Sequence, residues 1–373
     1  YFETPVINGA SISESTATGT VSGNVAAGNQ VGGIVGALDG SFVTKSNATG
    51  NVSGNKSVGG LAGFIDNDAV VSESYASGDV TGNNGALSGE EHGGLVGSNY
   101  ATIENSFATG NVEGDDSIGG LVGENNSTIQ NAYATGDVDG YNSVGGLVGL
   151  HGSAPSDDIS NTYTTGTTTG NTAVGQLIGK VQNTATVSNS FSLDNTTDDV
   201  IGDDTNAGAI TDVALRFFAE MRDPDTFAAW DFSTNGIPDD AIDDGDWIMA
   251  GFPQLQMQLK LMQTGVNTYE IDTIEDLQMM AVDLDGDYSL IDNVDATETH
   301  FWNPGVSFNA GFASLGNDER AFTGSFDGQG YAVDSLYINQ GGVDNVGLLG
   351  VTRNAIISNL GLTNALVVGG ENV

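Results

Sequence analysis

One five-residue phrase recurs down the first half of the chain. It reads GGIVG at Gly32, GGLAG at Gly59, GGLVG at Gly93, Gly119 and Gly145, and a degenerate GQLIG at Gly175. Successive first glycines stand 27, 34, 26, 26 and 30 residues apart, a base period of 26 with insertions. A fixed period of this size means stacked supersecondary units that bury their apolar faces against one another.

The most compact unit, SIGGLVGENNSTIQNAYATGDVDGYN from Ser117 to Asn142, holds three β-like runs: IGGLVG, TIQNAYA and GDVDG. Each is closed by Gly, Asn or Asp, and no 3.6-residue apolar period crosses them. The pattern predicts an all-β chain, a right-handed parallel β-helix (β-solenoid) with three strands per coil and coils about 4.8 Å apart. Within GGLVG, Val144 and Leu147 differ in parity, so a bulge or burial on both sides is required there. The glycines read as serving close backbone approach or positive φ. No phosphate-loop pattern is present.

TIQNAYA has the clearest alternation. Ile103/Asn105/Phe107, Ile129/Asn131/Tyr133, Ile159/Asn161/Tyr163 and Val187/Asn189/Phe191 share one parity, which predicts one face carrying aliphatic, asparagine and aromatic ladders. Stacked Asn residues exchange side-chain amide hydrogen bonds from layer to layer. Asn105, Asn131, Asn161, Asn189, Tyr133 and Tyr163 are thus read as a structural ladder. Glu14, Lys45 and Glu73 interrupt it in the earlier coils.

Lys plus Arg number 8 against 49 Asp plus Glu, a net charge of −41 over 373 residues. Such a surface repels nucleic acid and anionic membranes, attracts cations and suits a salty medium. Charged residues are only 15% of the chain, so it is no disordered polyanion. Cysteine is absent, and no apolar stretch is long enough to insert in a membrane. Opening at Tyr1 without a signal-peptide pattern, the chain reads as a mature fragment or processed product.

After Phe191 the pattern gives way to an acidic loop, Asp194 to Asp204. VALRFFAEM, from Val213 to Met221, reads as a short helix with Asp212 at its N-cap, followed by TFAAWDF and WIMAGFPQLQ as a cap over the solenoid's apolar end. A second pattern starts near Asn267, with Thr273 and Asp276 forming a helix-opening capping box. The expected division is a repeat solenoid over 1–212, a capping segment and linker over 213–266, and the opening half of a second solenoid over 267–373. Ile357/Asn359 repeats the Ile/Asn pair of the first half, and the closing GGENV stands where NSV precedes GGLVG.

The GGLVG repeats with their YATG-like companions resemble the GLUG motif of bacterial and archaeal surface proteins. The flanks extend the resemblance over nearly the whole chain: FTGSFDGQG, GLLG and ISNLGL are similar to how such solenoids open, and TFAAWDF with WIMAGFPQLQ to how they close. The resemblance implies a β-solenoid in large secreted or surface-anchored proteins, adhesins among them, and supplies no catalytic residues. Here the closing segment precedes the opening one. Either the chain is one period of a tandem array, or its last coils stack on the first coils of another copy.

The expected function is therefore an extracellular structural protein, a segment of a cell-surface fibre assembling head to tail, with Tyr1, Phe2, Val368 and Val373 near the joint. The alternative is an adhesin or carbohydrate-binding module that meets host or matrix glycans on an exposed solenoid face. No enzyme is expected. His92, His151 and His300 are scattered and read as loop or surface residues, no GxSxG or HExxH occurs, and eight basic residues are few for a lyase acting on acidic polysaccharide. DLDGD (Asp283, Asp285, Asp287) and DDAIDDGD (with Asp243, Asp244, Asp246) cluster carboxylates with Gly, which suits calcium as the one possible cofactor. Six N-x-S/T sequons occur, at Asn47, Asn51, Asn55, Asn125, Asn126 and Asn195, the three around Asn51 being the first choice for glycosylation.

Overall fold

A computed structural model describes the chain except residues 1–9, 24–29, 83–89, 153–156, 196–197, 206–208, 232–246 and 304–308. The described chain divides into two compact units, Tyr1–Phe217 and Phe218–Val373.

The first unit is a parallel β-solenoid. A complete coil consists of four strands, not three: Ile129–Ala134, Val138–Asp139, Asn142–Gly145 and Val148–His151. Each pairs in parallel with its counterparts in neighbouring coils. Ile129 lies between Ile103 and Ile159, Val138 between Val112 and Thr168, Val144 between Ile118 and Val174, and Val148 between Val122 and Ile178. Four sheets result. The first runs from Ser11–Ser13 to Ile210–Arg216 and the fourth from Val35–Asp39 to Ile201–Asp204.

The extra strand comes from GGLVG, which spans two sheets rather than one. Val144 lies in the third-sheet strand, which ends at Gly145, and Leu147 just precedes the fourth-sheet strand, which opens at Val148. Their parity conflict disappears because they serve different cores. Val144 joins Val112, Ile118 and Val138 in a small cluster drawn from the second and third sheets. Leu147 and Val148 join Leu121, Val122, Ile129 and Ala134 in the main core of the first and fourth. Each fully buried aliphatic side chain contributes about 1.5–3 kcal/mol, mostly against the adjacent coils. The glycines serve close approach: a Cβ on Gly119 would lie 2.0 Å from Val122 O, and one on Gly120 2.1 Å from Gly146 O.

The segments expected as a loop and a helix are coil instead. Ile201–Asp204 pairs with Ile178–Val181, and Ile210–Arg216 pairs with Thr186–Leu193. Asp212 does not cap a helix. It stands beside Asn189 in register, with the same left-handed backbone (φ 52° and 46°), and only a short 3-10 turn, Glu220–Arg222, follows.

In the second unit Thr268–Ile271, Asp287–Leu290, Ser325–Asp327 and Ile356–Ser358 stack in parallel, with two narrower sheets beside them. Helix α1 (Ile274–Met279) opens with the expected capping box: Thr273 Oγ1 accepts from Asp276 N, and Asp276 Oδ2 accepts from Thr273 N. The hairpin of Trp247–Ala250 and Phe252–Leu255, read as closing the first solenoid, places Ile248 and Ala250 in the core of this second unit, with Leu277, Tyr288 and Phe326.

Candidate functional site

Asn105, Asn131, Asn161 and Asn189 form a ladder, though not on the face the alternation predicts. Each holds a positive φ between 46° and 52°. A left-handed residue turns the strand and reverses its parity, and Asn tolerates that conformation better than most side chains. Ile129 therefore points into the main core before the turn, and Ala132 and Ala134 after it. Tyr133 faces the other way. Asn161 Nδ2 donates to Asn131 Oδ1 at 3.2 Å, and Asn189 Nδ2 to Asn161 Oδ1 at 3.5 Å. Glu14, Lys45 and Glu73 occupy the same left-handed corner, so the early coils keep its geometry without its amides. Lys45 and Glu73 form an ion pair at 3.7 Å.

Tyr75, Phe107, Tyr133 and Tyr163 stack with ring centroids 4.8–5.0 Å apart. Phe191 follows in register, and the Arg216 guanidinium lies 4.9 Å from its ring centre.

Two of the three histidines are core residues, contrary to the surface reading. His151 continues a buried ladder that begins at Asn99 and Asn125. Asn99 Nδ2 donates to Asn125 Oδ1 at 2.5 Å. Asn125 Nδ2 donates to Ser127 O and lies 3.0 Å from His151 Nδ1. With Nδ1 accepting, the ring proton rests on Nε2, which donates to Thr186 O at 3.2 Å. Burial holds the His151 pKa below its usual range. The signal was present in the sequence: Asn99, Asn125 and His151 are each 26 residues apart. His92 occupies the third-sheet position of Val58 and Ile118, and burial brings its pKa down to about 4. His300 is exposed and stacks on Tyr337 at 4.2 Å.

Of the carboxylates read as calcium ligands, Asp283 has its pKa raised by burial and by Asp285, which it faces, and Asp287 is engaged elsewhere. Asp283 Oδ2 accepts from Tyr269 Oη at 2.9 Å and its Oδ1 from Asp285 N, whereas Asp287 Oδ1 accepts from Ser325 Oγ. Among the described residues no three acidic, His or Cys side chains are grouped to hold a metal ion. Asp243, Asp244 and Asp246 lie outside the described residues, as do Tyr1 and Phe2.

Two surface features remain. A shallow groove of about 340 Å³ follows the second sheet, lined by Asp79, Thr81, Glu113, Asp137, Asp139 and Thr169 among others. The last coil of the second unit carries an apolar stripe. Ile357 and Leu362 stand in register with Phe326 and Val333, which are fully buried, yet are themselves 41% and 45% exposed. Leu366, Val368 and Val373 are exposed beside them. Asn359 and Asn372 hold the left-handed corner backbone of Asn131 and Ser143, so this coil carries corners of the kind found in the first unit. Among the described residues no helix is long and apolar enough to cross a membrane.

The GLUG motif matches residues 54–81, 92–113 and 114–139. The first unit is thus a GLUG-motif β-solenoid. The chain is also similar to halomucin of Haloquadratum walsbyi (strain DSM 16790 / HBSQ001), 38% identical over 116 residues. That alignment covers 30% of this chain and 1% of halomucin, so the chain spans a very small part of that relative's length. No solved structure matches.

Proposed function

We propose that the chain is a structural segment of a cell-surface or secreted repeat protein, non-enzymatic, in which solenoid coils stack head to tail on coils of another copy. The similarity to halomucin and the repeated GLUG motif support the extracellular placement. What supports the assembly reading is the stripe of Ile357, Leu362 and Leu366 on a coil whose strand Ile356–Ser358 has a described partner on one side only, a surface that a further coil would cover, whether of a longer chain or of another copy. Parallel strand edges with an exposed apolar stripe are completed by another coil, and a polar stack of this kind propagates.

Gly19 offers the matching contact at the other end. In successive coils a Cβ on Gly50, Gly78, Gly110 or Gly136 would lie 2.0–2.2 Å from the carbonyl of the corresponding glycine one coil earlier, whereas at Gly19 none of the described residues lies within 4 Å. A preceding coil, whether of a longer chain or of another copy, would place its carbonyl there. Sedimentation across a concentration series, with negative-stain microscopy, tests the reading. End-to-end species are expected for the native sequence and lost in both Leu362→Asp and Gly19→Ala, with circular dichroism unchanged. A monomer at every concentration overturns it.

The groove on the second sheet favours adhesion or glycan binding as the second reading, since Thr81, Glu113, Asp139 and Thr169 present hydroxyls and carboxylates to a sugar. Glycan-array binding without end-to-end assembly would select it.

A further inference from the structure

We propose that Asn51 is an N-glycosylation site, taking a glycan from a polyprenyl-phosphate-linked donor. The proposal is independent of the assembly reading. The acceptor nitrogen must reach solvent, and the linked sugar must be accommodated by the finished fold whether it is added before or after folding.

The structure separates the sequons. Asn55 and Asn125 are 8% and 0% exposed, and a glycan on either would have to be buried. Asn125 also uses its amide group on Ser127 O and His151 Nδ1. Asn47 is half-buried in the register position of Tyr75, beneath the aromatic stack, and its Nδ2 donates to Thr16 Oγ1 at 3.2 Å. Asn126 is half-buried with its Nδ2 donating to Glu124 Oε1 at 2.7 Å. The Asn195 sequon runs into residues outside the described set.

Asn51 differs from all of these. It is exposed, and its Oδ1 accepts from Asp79 N at 3.1 Å, while no described residue accepts from its Nδ2. The same corner repeats up the solenoid: Asp79 Oδ1 accepts from Asn111 N, Asn111 Oδ1 from Asp137 N, and Asp137 Oδ1 from Thr167 N. Two of the four corner residues are Asp, so the corner needs only the side-chain oxygen. The transfer leaves that oxygen in place. A bond forms between Asn51 Nδ2 and the anomeric carbon, the carbon–oxygen bond to the donor phosphate breaks, and one amide proton leaves to a base with the phosphate as leaving group. Among the sequons that the described residues cover in full, Asn51-Val52-Ser53 alone combines the sequon with an outward nitrogen that no described residue accepts from.

Trypsin provides the test, because cleavage after Lys45 and Lys56 releases Ser46–Lys56 with Asn47, Asn51 and Asn55 together. Electron-transfer fragmentation of this peptide from protein purified from its native cells should place a glycan mass on Asn51 and none on Asn47 or Asn55. An unmodified peptide, or a glycan on Asn47 or Asn55 with Asn51 bare, overturns the proposal.

Discussion

Asn161 Nδ2 donates to Asn131 Oδ1 across 3.2 Å, and both residues hold a left-handed backbone, with φ of 52° and 49°. One side chain thereby does two things. It lowers the cost of the corner that turns each coil, and it ties that corner to the coil before it.

The two contributions separate on substitution. Asn161→Ala keeps a Cβ in the left-handed region and loses the amide bonds, and should cost about 1.5–3 kcal/mol. Asn161→Gly loses the bonds but relieves the backbone, and should cost about 1 kcal/mol less. Urea midpoints of the two variants check this. Equal losses would mean that the corner backbone carries no strain.

Gly50 and Gly19 occupy the same position in successive coils, and only Gly50 faces a carbonyl, at 2.2 Å from where its Cβ would stand. Gly50→Ala must push two coils apart and should cost about 3 kcal/mol or more. Gly19→Ala, with none of the described residues within 4 Å of its Cβ, should be neutral or stabilising by up to about 1 kcal/mol in the dilute, unassembled chain. Thermal melts of the pair decide. Similar melting points would remove close approach as the reason for the repeated glycines.

Periodicity made the architecture legible, and its exceptions hid the details. The 26-residue spacing is the coil, and the Thr273/Asp276 box opens α1 in the structure as its residues imply. What alternation could not show is a residue that leaves the extended region mid-strand: Asn131 keeps the strand going while exchanging its faces, so Tyr133 and Ala134 trade sides. The same blindness makes Val213 to Met221 read as a helix, although Val213–Arg216 belongs to the strand Ile210–Arg216, whose Ile210-x-Asp212 repeats the Ile-x-Asn of the coils before it. The buried Asn99–Asn125–His151 ladder was missed because each residue is unremarkable alone. Only their common spacing marks them.

His92 gives the first unit a specific sensitivity to acid. Its ring fills space left by Gly82 and Gly114, where a Cβ would lie 2.2 Å from it, and burial depresses its pKa from 6.5 to about 4. A folded pKa below the unfolded one means that protonation favours the unfolded chain. The contribution is full above pH 6.5 and is lost as pH falls towards 4. At about 1.4 kcal/mol per pH unit the loss approaches 3 kcal/mol. Neighbouring Glu90, pushed up to about 7 chiefly by burial, acts in the opposite sense, since its protonation favours the fold. The comparison that isolates His92 is therefore native against His92→Val, the residue at the equivalent position 58. The variant should gain stability over the native chain progressively from pH 6.5 to 4. A constant difference across that range would show that His92 does not titrate with folding.

Arg222 in the second unit sets an ion pair against two ring contacts. Its side chain is 4% exposed, Nη2 donates to Glu298 Oε2 at 2.9 Å, and the guanidinium lies 4.0 and 5.1 Å from the Phe218 and Phe252 ring centres. Among the described residues Nε and Nη1 have no hydrogen-bond partner, and burial lowers the Arg222 pKa against the pull of Glu298. A buried cation short of partners is destabilised further when its anion is removed, whereas an apolar side chain of similar length needs no partner. Because the Glu298 carboxylate is solvated, the loss is reduced from the fully buried case. Glu298→Gln should cost about 1–2 kcal/mol, and Arg222→Met less than about 1 kcal/mol. Chemical denaturation of both variants orders the two effects. If Arg222→Met is the costlier, the contacts with Phe218 and Phe252 outweigh the strain of an incompletely paired charge, and it is the rings that hold this segment in place.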